Sequence, residues 1–266
     1  MYLNFILTSE EFRYPYYLAI VSAQRAHPGV PTILWSALRP RGAYFNVLES
    51  SLEVRRVNVP RFASLDHFDH PSHRCSMEKD YLQWVHLWET GGLYLDLDTF
   101  TLQPMLPLLA GRESVLQCSH PPPYGDPPFY CTESGIVLGQ PGCELLTRCR
   151  DAALEAFKKS HLVWAETGPT VLALQANAMR ERIDFRPFGE LNGGGWWDAH
   201  RWYTDALVEE YPLPDFARGM HLTASQNLEA FAEIQGPDYI AGRDNTYTRA
   251  VKRTLAPVDW DPLGLL

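Results

Sequence analysis

The feature that most constrains this chain is an apolar run closed by acids, Gly91-Gly92-Leu93-Tyr94-Leu95-Asp96-Leu97-Asp98. The run reads as a buried strand, and such a strand does not accept two carboxylates set two apart without a reason. Alternate side chains of a strand share a face, so Asp96 and Asp98 are expected to aim at one point. Like charges so placed repel, which raises one pKa or requires a cation between them. A hard divalent ion such as Mg²⁺ or Mn²⁺ is the natural neutraliser, because it takes oxygen ligands and keeps positions open for phosphate oxygens. Just upstream, Met77 to Thr90 carries Tyr81, Leu82, Trp84, Val85, Leu87 and Trp88, apolar on more than one face. That pattern predicts a helix buried on most sides, ended by Gly91-Gly92.

The first third of the chain alternates strand and helix. Leu3 to Leu7 reads as a buried strand, Tyr14 to Ala26 as a helix with Pro15 in its first turn and Pro28-Gly29 as its stop, and Thr32 to Trp35 as a second strand. A third strand is expected from Val54 to Val59, before Pro60. This order predicts an α/β fold with a mainly parallel, Rossmann-like central sheet flanked by helices. Downstream, the proline density of Ser119 to Pro128 predicts a loop, Ser134 to Leu138 a strand and Cys143 to Lys159 an amphipathic helix. Gly168-Pro169-Thr170 introduces a helix to about Arg182, and Ile183 to Pro187 reads as a last core strand. Asn192 to Gly195 is expected to be a flexible hinge carrying Trp196 and Trp197, and the chain beyond Tyr211-Pro212 is expected to be irregular.

At 266 residues, 45% of them apolar, the chain can bury a core without staples, and one domain over 1–266 is expected, its halves dividing near residue 110. Lys and Arg total 23 against 32 Asp and Glu, and a net charge of -9 argues against a broad nucleic-acid-binding surface. The N-terminus has no basic region and too short an apolar stretch for a signal peptide. No stretch approaches the roughly 18 to 20 apolar residues of a membrane span. Five scattered cysteines without a C-x-x-C pair suit a reducing compartment. A cytoplasmic location is the expectation, unless an anchor has been cropped.

A D-x-D tripeptide alone is weak evidence, and Asp259-Trp260-Asp261 is a second one, in a proline-flanked tail where no site is expected. Context strengthens the first, because ligands bind at the carboxyl ends of strands in α/β sheets. The block Gly91-Gly92-x-Tyr94-x-Asp96-x-Asp98 resembles the signature of the DXD sugar-binding glycosyltransferases, a group that includes initiating mannosyltransferases and α1,4-galactosyl- and α1,4-N-acetylglucosaminyltransferases. The glucosylating domain of large clostridial toxins is a more distant member. That family's upstream pattern is Ser-Asp, two residues, Arg, three residues, Leu; here Lys79-Asp80, Gln83 and Leu87 stand at those places. Asp and Leu match, while Ser and Arg do not. Ser134 to Gly142, Thr167-Gly168-Pro169-Thr170 and Gly219-Met220-His221-Leu222 resemble further family elements, with Thr223 where Trp is usual.

The resemblance implies a GT-A-like fold and a metal-dependent transfer of a sugar from a UDP- or GDP-sugar to a hydroxyl acceptor, sugar-bearing or otherwise, with retention of configuration. The nucleotide sugar would then occupy the half of the chain up to about residue 110 and the acceptor the rest. The resemblance assigns Asp98 to the metal, Asp96 to the ribose or sugar with a share of the metal, and His221 to complete the coordination of Mn²⁺ or Mg²⁺. Asp80, Gln83, Gly91, Gly92 and Tyr94 are carried over to the donor side, and Thr170 to the acceptor. Trp196 and Trp197 suit stacking on a sugar's C–H face or a place in the core. Glu133 faces the anomeric carbon or is an ordinary exposed acid. Two other readings of the pair stay open, a metal-dependent phosphohydrolase and a non-catalytic nucleotide-sugar or glycan binding module.

Asp66 to Cys75 gathers three His and two Asp. Pro71 interrupts any helical spacing there and no second ligand group matches, so a polar loop is expected rather than a zinc site. Finally, an acidic protein lacks a general field to attract a diphosphate. Attraction must be local, which makes the expected dependence on a cation at Asp96 and Asp98 stronger where Gln83 replaces an Arg.

Overall fold

The structure is a computed structural model that describes residues 1–60, 62–66, 71–118, 133–159, 162–204 and 211–266. In chain order the elements are β1 (Tyr2–Leu7), α1 (Tyr14–Ala26), β2 (Thr32–Ser36), α2 (Ala43–Leu48), β3 (Glu53–Arg56), α3 (Pro71–Thr90), β4 (Gly92–Leu95) and β5 (Thr99–Thr101). There follow β6 (Ser114–Gln117), β7 (Ile136–Gly139), α4 (Glu144–Ala156), α5 (Pro169–Ala178), β8 (Asp184–Arg186) and β9 (Gly219–His221). The chain closes with α6 (Leu228–Ala232), α7 (Pro237–Gly242), α8 (Thr246–Thr254) and α9 (Pro257–Trp260). Among the described residues, seven strands form one sheet in the order β3-β2-β1-β4-β7-β6-β8, and β5 pairs with β9 in a second, two-stranded one. Only β7 runs against its neighbours in the large sheet; the other pairs are parallel. The mainly parallel sheet between helices is therefore the architecture formed.

Alternation along β1 divides the core in two. Leu3, Phe5 and Leu7 join α1 in one apolar cluster, which also takes Tyr247 and Val251 of α8 from the far end of the chain. Ile6, with Ile33 and Trp35 of β2, faces a second cluster built with Trp84 and Leu87 of α3 and residues of α4 and α5. Each large side chain so buried contributes about 1.5–3 kcal/mol. Asn4 interrupts the apolar pattern for a purpose: its amide donates to Gly91 O at 3.1 Å, and its oxygen accepts from Trp35 Nε1 at 3.1 Å and Thr90 Oγ1 at 3.0 Å. The end of α3 is thereby tied to β1.

The turn from α3 into β4 demands glycine. Gly92 has φ +107°, and a Cβ there would meet Tyr2 O at 2.2 Å, because β4 enters directly against the start of β1.

Several expectations shift. The helix before the glycines begins at Pro71, six residues earlier than its apolar pattern predicts, since proline is compatible with a first helical turn. The third strand stops at Arg56 and is largely exposed, at the edge of the sheet. The Ile183 to Pro187 segment gives a half-buried edge strand, β8, not a core strand. The tail after Pro212 is not irregular. Its helix α8 starts from a reciprocal cap, Asn245 accepting from Thr248 N at 2.9 Å while Thr248 Oγ1 accepts from Asn245 N at 3.1 Å, and it buries Tyr247, Ala250 and Val251. The stretch from Asn192 to Gly195 is not a hinge: Asn192 N donates to Gln117 Oε1 at 2.8 Å and Gly193 N to Gly219 O at 2.9 Å. The second D-x-D is structural, with Asp259 paired to Arg25 and Asp261 accepting from the backbone of Leu265 and Leu266. The Ser119 to Pro128 loop, and His67 to His70 of the His-rich segment, lie outside the described residues. No helix among the described residues is long and apolar enough to cross a membrane.

Candidate active site

The signature pair does not lie on the strand. Strand β4 ends at Leu95, and Asp96 to Thr99 form a turn closed by Thr99 N donating to Asp96 O at 2.9 Å. Asp96, just past the end of β4, is tied back to the strand by a 2.5 Å hydrogen bond from the Tyr94 hydroxyl to Asp96 Oδ1. Asp98 reaches the same place by the turn, and what brings the carboxylates together is His221. Pairing of β5 with β9 sets Thr99 opposite His221, whose Nε2 lies 3.3 Å from Asp98 and 3.5 Å from Asp96.

The chain after His221 is shaped to serve the turn. Thr223 adopts φ +49°, a left-handed conformation uncommon for a β-branched residue. The reversal aims Ala224 N at Asp98 Oδ2, 2.7 Å away. Asn192 holds the other side: its Oδ1 accepts from His221 N at 2.9 Å, and its amide donates to Glu133 Oε2 at 2.8 Å. Glu133 is thus no ordinary exposed acid; its side chain is largely covered, 3.7 Å from His221 Nδ1.

Helix α3 supplies the opposite wall. Its inward stripe is Asp80, Gln83, Trp84 and Leu87, the spacing of one helix face. Trp84 Nε1 donates to Thr167 O at 2.8 Å and Gln83 Nε2 to Ser134 O at 2.7 Å, which fix the helix against the strand and loop across from it. Lys79, one turn before Gln83, reaches into the site and donates to both oxygens of Asp96, at 2.7 and 2.8 Å.

Four carboxylates, Asp80, Asp96, Asp98 and Glu133, therefore line one cavity of about 590 Å³ beside Lys79 and His221. Burial works against the charge on His221, but Asp98 above all, then Glu133 and Asp96, reverse this and hold it well above the usual imidazole range. Burial likewise opposes ionisation of Asp98, yet His221 and the Ala224 amide bring it down to about 2. Asp80 differs. Burial pushes it up to about 7, although the Lys79 ammonium pulls the other way, because that ammonium is 3.8 Å off and committed to Asp96. Burial disfavours a charged Lys79 too, and Asp96 and Asp80 outweigh it, so it stays an ammonium.

Asp96, Asp98 and His221 each offer a ligand atom, and these lie within 4.8 Å of one another. Two carboxylates and an imidazole suit a divalent ion such as Mn²⁺ or Mg²⁺. The fit has a second support: Glu133 Oε1 and His221 Nδ1 are buried without a hydrogen-bond partner among the described residues. A cation would offset the surplus of negative charge.

Of the other residues singled out in the sequence, Thr170 and Trp196 line the cavity with Asp80 and Glu133. Gln83, Gly91, Gly92, Tyr94 and Trp197 do not. The glycines sit at the opposite end of β4, Gln83 is turned into the core, and Trp197 stacks on Phe188 with centroids 6.2 Å apart. Tyr94 acts one step removed, through Asp96. Sequence reasoning missed Lys79 and Asn192. Lys79 could have been found from the i, i+4 offset that puts it on the face of Gln83; Asn192 carries no signal beyond its Gly-rich neighbours.

The motif region resembles one class of protein, the glycosyltransferases. Residues 16–115 match the family described as "Glycosyltransferase sugar-binding region containing DXD motif". Among solved structures the chain is similar to the PaToxG glycosyltransferase, at 12% identity over 66% of this chain and 67% of that one, with a TM-score of 0.47. It is also similar to galactosyltransferase LgtC in complex with donor and acceptor sugar analogues, at 16% identity over 72% and 75%, TM-score 0.45. An active-site mutant of LgtC gives 16% identity over 72% and 74%, TM-score 0.46. No curated protein matches the chain.

Proposed function

We propose that this protein, acting as one domain, moves a sugar from a UDP- or GDP-sugar to a hydroxyl acceptor with the help of Mn²⁺ or Mg²⁺. The observation that carries this reading is the meeting of Asp96, Asp98 and His221 in a cavity at the carboxyl end of a parallel strand. These three residues would hold the ion, which supplies charge to offset that developing on the leaving diphosphate.

The chain's own groups divide the remaining work. Asp80, about half protonated near pH 7, can donate a hydrogen bond to a donor hydroxyl or accept one. Glu133, positioned by Asn192, keeps one oxygen uncommitted among the described residues. That oxygen can face the anomeric carbon or take the acceptor's proton as the glycosidic bond breaks. Thr170 and Trp196 line the same cavity, and the aromatic ring suits the C–H face of a sugar acceptor. Retention of configuration is the outcome expected by resemblance.

Release of nucleoside diphosphate from a panel of UDP- and GDP-sugars, with and without Mn²⁺, tests the reading. Turnover should require the ion and rise with an acceptor, and Asp98→Ala should abolish both Mn²⁺ binding and transfer. An Asp98→Ala protein with full turnover in chelator would overturn it.

A further inference from the structure

The mismatch between Gln83 and the family's Arg suggests a cavity with no protein cation for the donor. The geometry says otherwise. Lys79 stands four residues earlier on the same helix face and ends inside the cavity, its ammonium 2.7 and 2.8 Å from the two oxygens of Asp96 and 3.8 Å from Asp80. Gln83, by contrast, spends its amide on Ser134 O in the core.

Asp96 has little left to offer. Its Oδ1 accepts from both the Tyr94 hydroxyl and Lys79, and its Oδ2 accepts from Lys79 with His221 Nε2 at 3.5 Å. A carboxylate has about four lone-pair directions. A divalent ion bound directly to Asp96 would sit within a few ångströms of a fixed ammonium, and like charges that close in a half-dry cavity repel strongly. We infer that Lys79 and a divalent cation compete for Asp96, and that Lys79, displaced from it, is the protein's own positive charge for the donor's diphosphate. Lys79 is then a positioning residue with two opposite effects: it weakens the ion and strengthens the nucleotide. The second effect rests on the glycosyltransferase reading; the first does not.

The test is calorimetric, on the whole chain freed of metal. Mn²⁺ alone should bind Lys79→Met about tenfold more tightly than the wild type, a gain that damage to the fold would not produce. Lys79→Gln, which can still donate to Asp96, should show the same gain and serves if the Met variant does not melt cooperatively. Lys79→Arg keeps the charge and should show none. With saturating Mn²⁺, UDP and GDP are then titrated; the one that binds the wild type should bind Lys79→Met about tenfold more weakly and Lys79→Arg nearly as well as the wild type. Unchanged or weaker Mn²⁺ binding in the neutral variants overturns the competition, and unchanged nucleotide binding, or none to the wild type, overturns the diphosphate role. Asp98→Ala separates the two ideas: if it keeps wild-type Mn²⁺ affinity, the metal site itself is wrong, whereas its loss alongside an unaltered Lys79→Met condemns only the competition.

Discussion

His221 is held in place as much by a missing atom as by its bonds. A Cβ on Gly135 would come 2.4 Å from His221 Cε1, so the ring occupies the space that a side chain at that position would need. Gly135→Ala should push the imidazole away and weaken Mn²⁺ binding about 10- to 100-fold, the range for lost support of a ligand, with the melting transition still cooperative. Calorimetry with Mn²⁺ reads it. Asp80 makes a pH prediction. Its carboxyl is raised by burial from 3.8 to about 7, so between those values the folded chain keeps a proton that the unfolded chain releases. Stability therefore falls as pH rises through that window. Asp80→Asn should remove this slope, and urea midpoints at pH 5 and pH 8 should show the wild type losing ground to the variant at the higher pH. Asp96 and Asp98 were legible as candidates because paired acids in an apolar run have few bland explanations, whereas His221 was singled out by resemblance alone. Lys79 was not, since one lysine in a helix is by default a solvated surface charge.

At the scale of elements, the first strands and helices were legible because each is a single apolar run with clear stops. The short ones were not. Strand β9 spans only Gly219–His221, and its partner β5 only Thr99–Thr101, too few residues for any period to show. The D-x-D turn was hidden by Leu97, which extends the apolar run past the point where β4 ends. Helix α8 was hidden by its polar face, although the Asn245 to Thr248 cap is a start signal once Thr is admitted at the third position. Its anchor is Tyr247, edge-on to Phe100 of β5 at 5.9 Å between ring centroids. Tyr247→Ala should cost about 3–5 kcal/mol in denaturant unfolding, because it leaves a cavity under the turn. Gly92→Ala, which would drive a Cβ into Tyr2 O, should lower stability by about 2–4 kcal/mol in the same assay.

For the molecule as a whole, the net charge of -9 sets the long-range problem for the proposed reaction, since a nucleotide sugar would arrive as an anion. The remedy is confined to one cavity, where Lys79 already stands among the acids. Screening by salt should therefore relieve repulsion outside while leaving the buried contacts nearly intact. Stopped-flow measurements between roughly 50 and 300 mM NaCl should show donor association holding steady or quickening, unlike the slowing expected of a protein with an attractive field. The ladder between β5 and β9 also fixes when this cavity becomes functional. Asp96 and Asp98 leave the ribosome early, but His221, Ala224 and the Asn192 that accepts from His221 N come from far later in the chain. A nascent chain thus exposes two acids that have no imidazole to close on, and metal cannot nucleate its folding. If Asp96, Asp98 and His221 hold the proposed ion, its tight uptake marks the end of biosynthesis, not its beginning.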